Sequence, residues 1–452
     1  MENMADKLDE FLWEMGLKTI RELETERGIM ASGREEIYGC IFGRDSLLTS
    51  LSLLRIYHKD TEWRFLPLVK KVLENMALLQ GKEVNIENGE EPGKCIHEFR
   101  TAGHEHLTKN AEKPWHTHTD DSLRNYDSVD STPLFLMAIH AYWRASGDKD
   151  FMRAILPHAR AALDWLLNRG DTNGDGFIDY RFHPERLSGG LVVQSWMDSG
   201  ASIFYEHGES QPPYPIAPVE VQAYAYVVLR QWSDFFSTRQ NEETWRDTAY
   251  AETLKARADD LKTRFNKAFI LHRGNAKYSL AYALDGNGTP LTSARSSMGH
   301  CLWAVHRNTG VYGEQTAPDG IIDQKYIEPL VRRLLARDLF LPRAGIRTLS
   351  SRSSHFAPGS YHNGSVWPHD TAMLAEGLEN FGFKEEAVRV RKALLRAYMH
   401  FKTPLELFAY SKGRYCEYKD ASGRGACRKQ AWSAGSLLTT LDILQSSDPA
   451  SS

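Results

Sequence analysis

Two kinds of helical segment constrain what this chain can become. In the first, apolar residues recur with a 3.6-residue period: Ile155, Leu156, Ala159, Leu163, Leu166 and Leu167, then Leu254, Ala258, Leu261 and Phe265, then Ala387, Val390, Leu394, Ala397 and Tyr398. Such a helix buries one stripe and wets the other. In the second, residues 46–54 (SLLTSLSLL), 223–229 (AYAYVVL) and 371–378 are apolar almost all round, so they must be buried on every side. Two classes imply two layers, an inner ring of buried helices inside an outer ring of amphipathic ones. Periodicity gives roughly a dozen helical segments. No low-complexity linker or clear repeat divides the chain, so a single all-α domain over 1–452 is expected.

Composition narrows the functions. The net charge of -4, with no basic run, argues against nucleic acid. No apolar stretch of about 18 residues is present, so no membrane partner is expected. The start, MENMADKLDEFLWEMG, lacks a basic region followed by an apolar run, and is not a secretory signal. The five cysteines (Cys40, Cys95, Cys301, Cys416, Cys427) are odd in number, scattered and without a CxxC pair, which fits reduced thiols in a cytoplasm. Neither a cofactor nor a metal is expected, and the oligomeric state is left open.

Long connections at 81–127, 181–215, 343–363 and 403–429 hold Trp115, Trp196 and many acids, and connections of this length are usually functional or disordered. Asp198 follows Trp196 in GLVVQSWMDS, where an apolar ring can raise a carboxyl pKa as a general acid requires; an Asp capping the next turn is the alternative. Glu406 stands between Leu405 and Leu407. A lone buried carboxylate needs partners, so it faces a polar cavity or pairs with Arg428 or Lys429. Arg44 and Asp45 open the buried segment 46–54, where they can grip vicinal hydroxyls, or Asp45 can cap the helix. DTNGDGFID (171–179) matches the first half of a calcium loop, but Phe182 occupies the position of the bidentate Glu, so a turn with at most weak calcium affinity is expected. His97, His104, His106, His116 and His118 cluster in one connection; metal binding is one reading, but they fit no helical zinc spacing, and a solvated lid with a few substrate-contacting histidines is expected.

Together the stretches FGRDSLLTSL (42–51), EPGKCIHEFR (91–100), YDSVDSTPLFL (126–136), GLVVQSWMDS (190–199), YHNGSVWPHD (361–370), LELFAY (405–410) and CRKQAWSAGSLL (427–438) resemble the amylo-α-1,6-glucosidase part of glycogen debranching enzymes, and the RDS motif resembles the glucoamylases. The resemblance implies an (α/α)6 barrel, six helix hairpins in two concentric rings. It implies inverting hydrolysis of an α-glucoside, with Asp198 as acid and Glu406 as base. It matches Arg44 and Asp45 to the grip on the terminal glucose, and places Phe42, Asp130, Gln194, Trp196, Glu220, Gln222, His362, Trp367 and Trp432 around the pocket. Asp127 stands where Gly is more typical, and Lys429 where Pro is usual. A sugar epimerase or lyase on the same fold, working through histidines, is one alternative; a non-catalytic sugar-binding protein is another.

Overall fold

The computed structural model describes residues 2–59, 64–208, 210–238, 242–272, 278–307 and 317–446. The chain is mostly helical. Its helices are α1 (Glu2–Leu23), α2 (Gly43–Ile56), α3 (Phe65–Leu78), α4 (Glu105–Thr108), α5 (Ser131–Ser146), α6 (Lys149–Asn168), α7 (Val219–Ser237), α8 (Thr248–Ala268), α9 (His300–Trp303), α10 (Ile327–Leu334), α11 (Pro368–Asn380), α12 (Lys384–Phe401) and α13 (Ala431–Ser446). Among the described residues no helix is long and apolar enough to cross a membrane.

The two helix classes occupy two positions. α2, α5, α7, α9, α11 and α13 pack one against the next, and α13 returns against α2. Around them α1 lies on α13, α3 on α2 and α5, α6 on α5, α8 on α7, and α12 on α11 and α13. α7 is buried continuously from Val219 to Leu229, whereas its outer partner α8 buries only Ala251, Leu254, Ala258, Leu261 and Phe265. Each fully buried leucine or phenylalanine of such a stripe contributes ~1.5–3 kcal/mol, so these few positions fix which face of α8 turns inward. Two outer helices begin with an aspartate cap: Asp148 accepts from the Phe151 amide of α6, and Asp247 from the Tyr250 amide of α8.

The long connections contain short strands that periodicity does not reveal. Ile41–Phe42 pairs antiparallel with Glu98–Arg100, which pairs with Leu123–Asn125. Phe408–Ser411 and Arg414–Glu417 form a hairpin. Strands of two to four residues are too short to display alternation, and the first sheet joins segments far apart in sequence.

Candidate active site

Polar side chains gather at the starts of the inner helices. Arg44 and Asp45 lie in the first turn of α2, Asp130 immediately precedes α5, Glu220 lies in the first turn of α7, Trp367 precedes α11, and Gln430 precedes α13. Helix N-termini carry partial positive charge, so these ends favour carboxylates. The start of α2 depends on Gly43. Its amide donates to the His97 carbonyl at 2.8 Å, and a Cβ there would meet the Ile96 oxygen at 2.1 Å. Only glycine allows that approach, which sets Arg44 and Asp45 at a cavity of about 220 Å³.

Asp198 enters this cavity from the 181–215 connection. Its Oδ2 accepts from Arg44 Nη1 at 2.9 Å, and its side chain is 23% exposed. Arg44 is itself held by Asp130, Nε to Oδ2 at 2.6 Å. Burial pushes the Asp198 carboxyl above its ordinary range, with Arg44 pulling against it. Glu406 enters from the 403–429 connection. The Tyr361 hydroxyl donates to its Oε1, and the Cys427 amide donates to its Oε2 at 2.9 Å. The Tyr38 hydroxyl stands 3.2 Å from that of Tyr361. Burial lifts the Glu406 carboxyl to about 7, against those hydrogen bonds. Glu406 makes no ion pair with Arg428 or Lys429, which are bound to Glu417 and Glu22 instead. Asp45 accepts from Gln430 Nε2 at 2.8 Å, and burial raises it to about 8 against the pull of Arg44. It does not cap α2, whose N-cap position is Phe42 with no side-chain cap bond.

The cavity wall is aromatic. Trp196 meets Trp367 edge-on with centroids 5.2 Å apart, Trp367 stacks on His362 at 5.0 Å, and Trp432 stacks on His369 at 3.7 Å. The His362 Nδ1 accepts the Ser199 amide at 3.3 Å, and burial, with Arg295 and Arg44, holds its pKa well below the ordinary value. His362 is therefore neutral, with its proton on Nε2.

Of the residues singled out from sequence, Phe42, Arg44, Asp45, Trp196, Asp198, His362, Trp367, Glu406 and Trp432 line the cavity. Four do not. Asp130 acts one layer back through Arg44. Gln194 turns its amide to the Leu191 carbonyl at 3.1 Å. Glu220 is buried, its carboxyl lifted to about 7 by desolvation. Gln222 spends its side chain on backbone, accepting from the Ile178 amide at 2.9 Å and donating to the Ile178 and Pro218 carbonyls. Proximity within a motif points polar side chains near a helix start at the pocket, whereas local backbone groups compete for them. Conversely, Tyr38, Tyr361 and Gln430 line the cavity without being singled out from sequence, and His97 and Trp115 line it from a connection expected to be functional. Tyr361 and Gln430 neighbour residues that are singled out; Tyr38 carries no signal.

The other two motifs resolve locally. In the 171–179 loop, Asp171 accepts from the Gly174 and Gly176 amides and Asp179 from Thr172. The carboxylates thus face the loop's own backbone. Of the five histidines, His97 and His106 line the cavity, and His116 packs edge-on against His118.

A search of curated proteins finds no match. Among solved structures the chain is similar to the GH63 mannosylglycerate hydrolase of Thermus thermophilus in complex with Tris and D-glycerate, at TM-score 0.63 and 15% identity over 96% of this chain and 100% of that one. The same hydrolase in complex with glucose gives 0.61 and 16%, over 96% and 100%. A wild-type glycosidase gives 0.58 and 14%, over 98% of each chain. At such identity these likenesses bear on the fold. The model of the amylo-alpha-1,6-glucosidase family matches residues 114–439. That match takes in Asp130, Asp198, Glu406 and the aromatic wall, and the chain belongs to the amylo-alpha-1,6-glucosidase family of glycoside hydrolases.

Proposed function

We propose that this chain is an (α/α)6-barrel enzyme that releases glucose from small α-glucosides with inversion, Asp198 serving as general acid and Glu406 as general base. The observation that carries the reading is that two carboxyls, Asp198 half-buried and Glu406 buried, are brought from separate connections to one small aromatic cavity with different partners. Asp198 protonates the glycosidic oxygen as the bond breaks. Glu406 removes a proton from the water that attacks the opposite face of the ring. Arg44 and Asp45 grip hydroxyls of the terminal sugar, and the tryptophans pack on its apolar face. Arg44 Nη2, Trp432 Nε1 and Gln430 Oε1 are buried without hydrogen-bond partners on side chains that line the cavity, two donors and an acceptor of the kind sugar hydroxyls complement.

The size of the cavity supports a small substrate. About 220 Å³ lies below the roughly 300–1,000 Å³ of pockets for drug-sized ligands, so one sugar ring and a compact leaving group suit it better than a branched polymer. The Thermus hydrolase, whose structures hold glucose and D-glycerate, points to the same class. The cysteines are unpaired, in keeping with a cytoplasmic enzyme. Incubation with isomaltose, maltose, limit dextrin, glucosylglycerate and sucrose, followed by a glucose assay, tests the reading. Release from a small glucoside and little from limit dextrin is expected. Folded protein that frees glucose from none of them would refute it.

A further inference from the structure

Arg295 lies outside the cavity, in a short bridge with Leu349, and is one of the largest fully buried side chains of the molecule. Its guanidinium touches both segments that carry the proposed chemistry. Nη2 donates to the Ser202 carbonyl at 2.7 Å and to Asn363 Oδ1 at 2.8 Å. Nη1 donates to the His362 carbonyl at 3.0 Å and lies 3.2 Å from Met197 Sδ. Met197 and Ser202 flank Asp198. His362 and Asn363 follow Tyr361, the residue that donates to Glu406. Asn363 completes the link by donating from Nδ2 to the Ala201 carbonyl at 2.9 Å.

These acceptors are all neutral, and the flat faces of the cation rest on Phe204 and Tyr282, each 4.9 Å from the guanidinium carbon. Burying a charge on neutral partners is costly. What the arrangement does gain is geometry. A planar fork with several donors fixes two backbone segments relative to each other, which a single point charge cannot do. An apolar residue would fill the same space and leave the Asp198 segment without that tie.

We propose that Arg295 is a positioning residue that sets the spacing of the two carboxyls, by tying the Met197–Asp198 turn to the segment whose Tyr361 orients Glu406. The inference rests on the roles given above to Asp198 and Glu406. Misplacement of reacting groups by about 1 Å can cost on the order of a hundredfold in rate, so loosening the tie acts on kcat.

The test is Arg295→Lys, with Asn363→Ala as a second variant that leaves the buried cation most of its partners. Two readouts are taken on the full chain. Hydrogen exchange should show protection lost around 197–202 and 361–363 while α7 keeps its own. On a glucoside that the wild type hydrolyses, kcat should fall about a hundredfold in Arg295→Lys and about tenfold in Asn363→Ala, with KM within about threefold. Glucosyl fluoride, whose leaving group needs little acid help, should be turned over with a smaller loss. Wild-type exchange in both segments of a folded Arg295→Lys would overturn the proposal, as would wild-type kcat. The exchange result decides it even if no glucoside is hydrolysed, an outcome that would count against the hydrolase reading alone.

Discussion

Asp198 and Glu406 face one cavity but answer to different neighbours, and that difference makes their roles separable. Asp198→Asn should abolish turnover of glucosides with poor leaving groups and spare more of the activity on glucosyl fluoride, since only the first needs a proton. Glu406→Gln should lose both, because water must be activated in either case. Comparable losses on the two substrates for Asp198→Asn would remove it as the acid. The buried Glu406 carboxyl also carries a stability consequence. In the fold its pKa is lifted from 4.5 to about 7, so between those values the folded state holds the proton better than the unfolded chain does. The stabilisation is complete below about 4.5 and is lost as pH rises through 7, by about 3 kcal/mol in all. Glu406→Gln removes the ionisation, so its Tm should exceed that of the wild type by a few degrees at pH 8 and match it at pH 4.5. Thermal scans at the two pH values check this, and an equal offset at both would show that ionisation is not the cause. In the same way, kcat/KM should rise with pH up to about 7 as Glu406 ionises. At this scale Asp198, Glu406, Arg44 and Asp45 are legible because each sits in a motif. Tyr38 is not, since its value comes from a tyrosine more than 300 residues away, with which it shares a hydrogen bond.

Among the elements, the 171–179 loop bears on metal dependence. Asp171 and Asp179 are committed to backbone amides and to Thr172, and Arg257 Nη2 lies 3.9 Å from Asp171. A cation would have to displace these contacts without the bidentate glutamate that closes a calcium loop. Adding EDTA should therefore leave the Tm unchanged, and a loss of many degrees restored by calcium would contradict this. The helices divide by how much of their surface the core takes. α6, α8 and α12 show their period because one face stays wet, and α2, α7 and α11 show none because no face does. α9 is invisible to periodicity: four residues make barely one turn, too short for any period, and its place beside α11 is set by packing. The short strands are hidden for the same reason.

For the molecule as a whole, the cyclic order of α2, α5, α7, α9, α11 and α13 gathers connections from distant parts of the chain at the N-terminal ends of the inner helices. That convergence is why two carboxyls about 200 residues apart share a cavity, and why the sequence hints at two layers but not at which side chains meet. The same enclosure protects the thiols: Cys40, Cys95, Cys301 and Cys427 are buried and Cys416 is exposed. A thiol reagent should label one cysteine quickly in the native protein and five after denaturation; a native disulfide in mass spectra would contradict this. The roles proposed for Asp198 and Glu406 require inversion at the anomeric carbon. A water between base and sugar requires the carboxyls to stand roughly 6.5–9.5 Å apart, rather than the ~5 Å of a retaining pair, and it decides the anomer released. Proton NMR of the first product from an α-glucoside, recorded before mutarotation, should show β-glucose. If α-glucose appears first, the reaction proceeds with retention and the roles given to Asp198 and Glu406 are wrong.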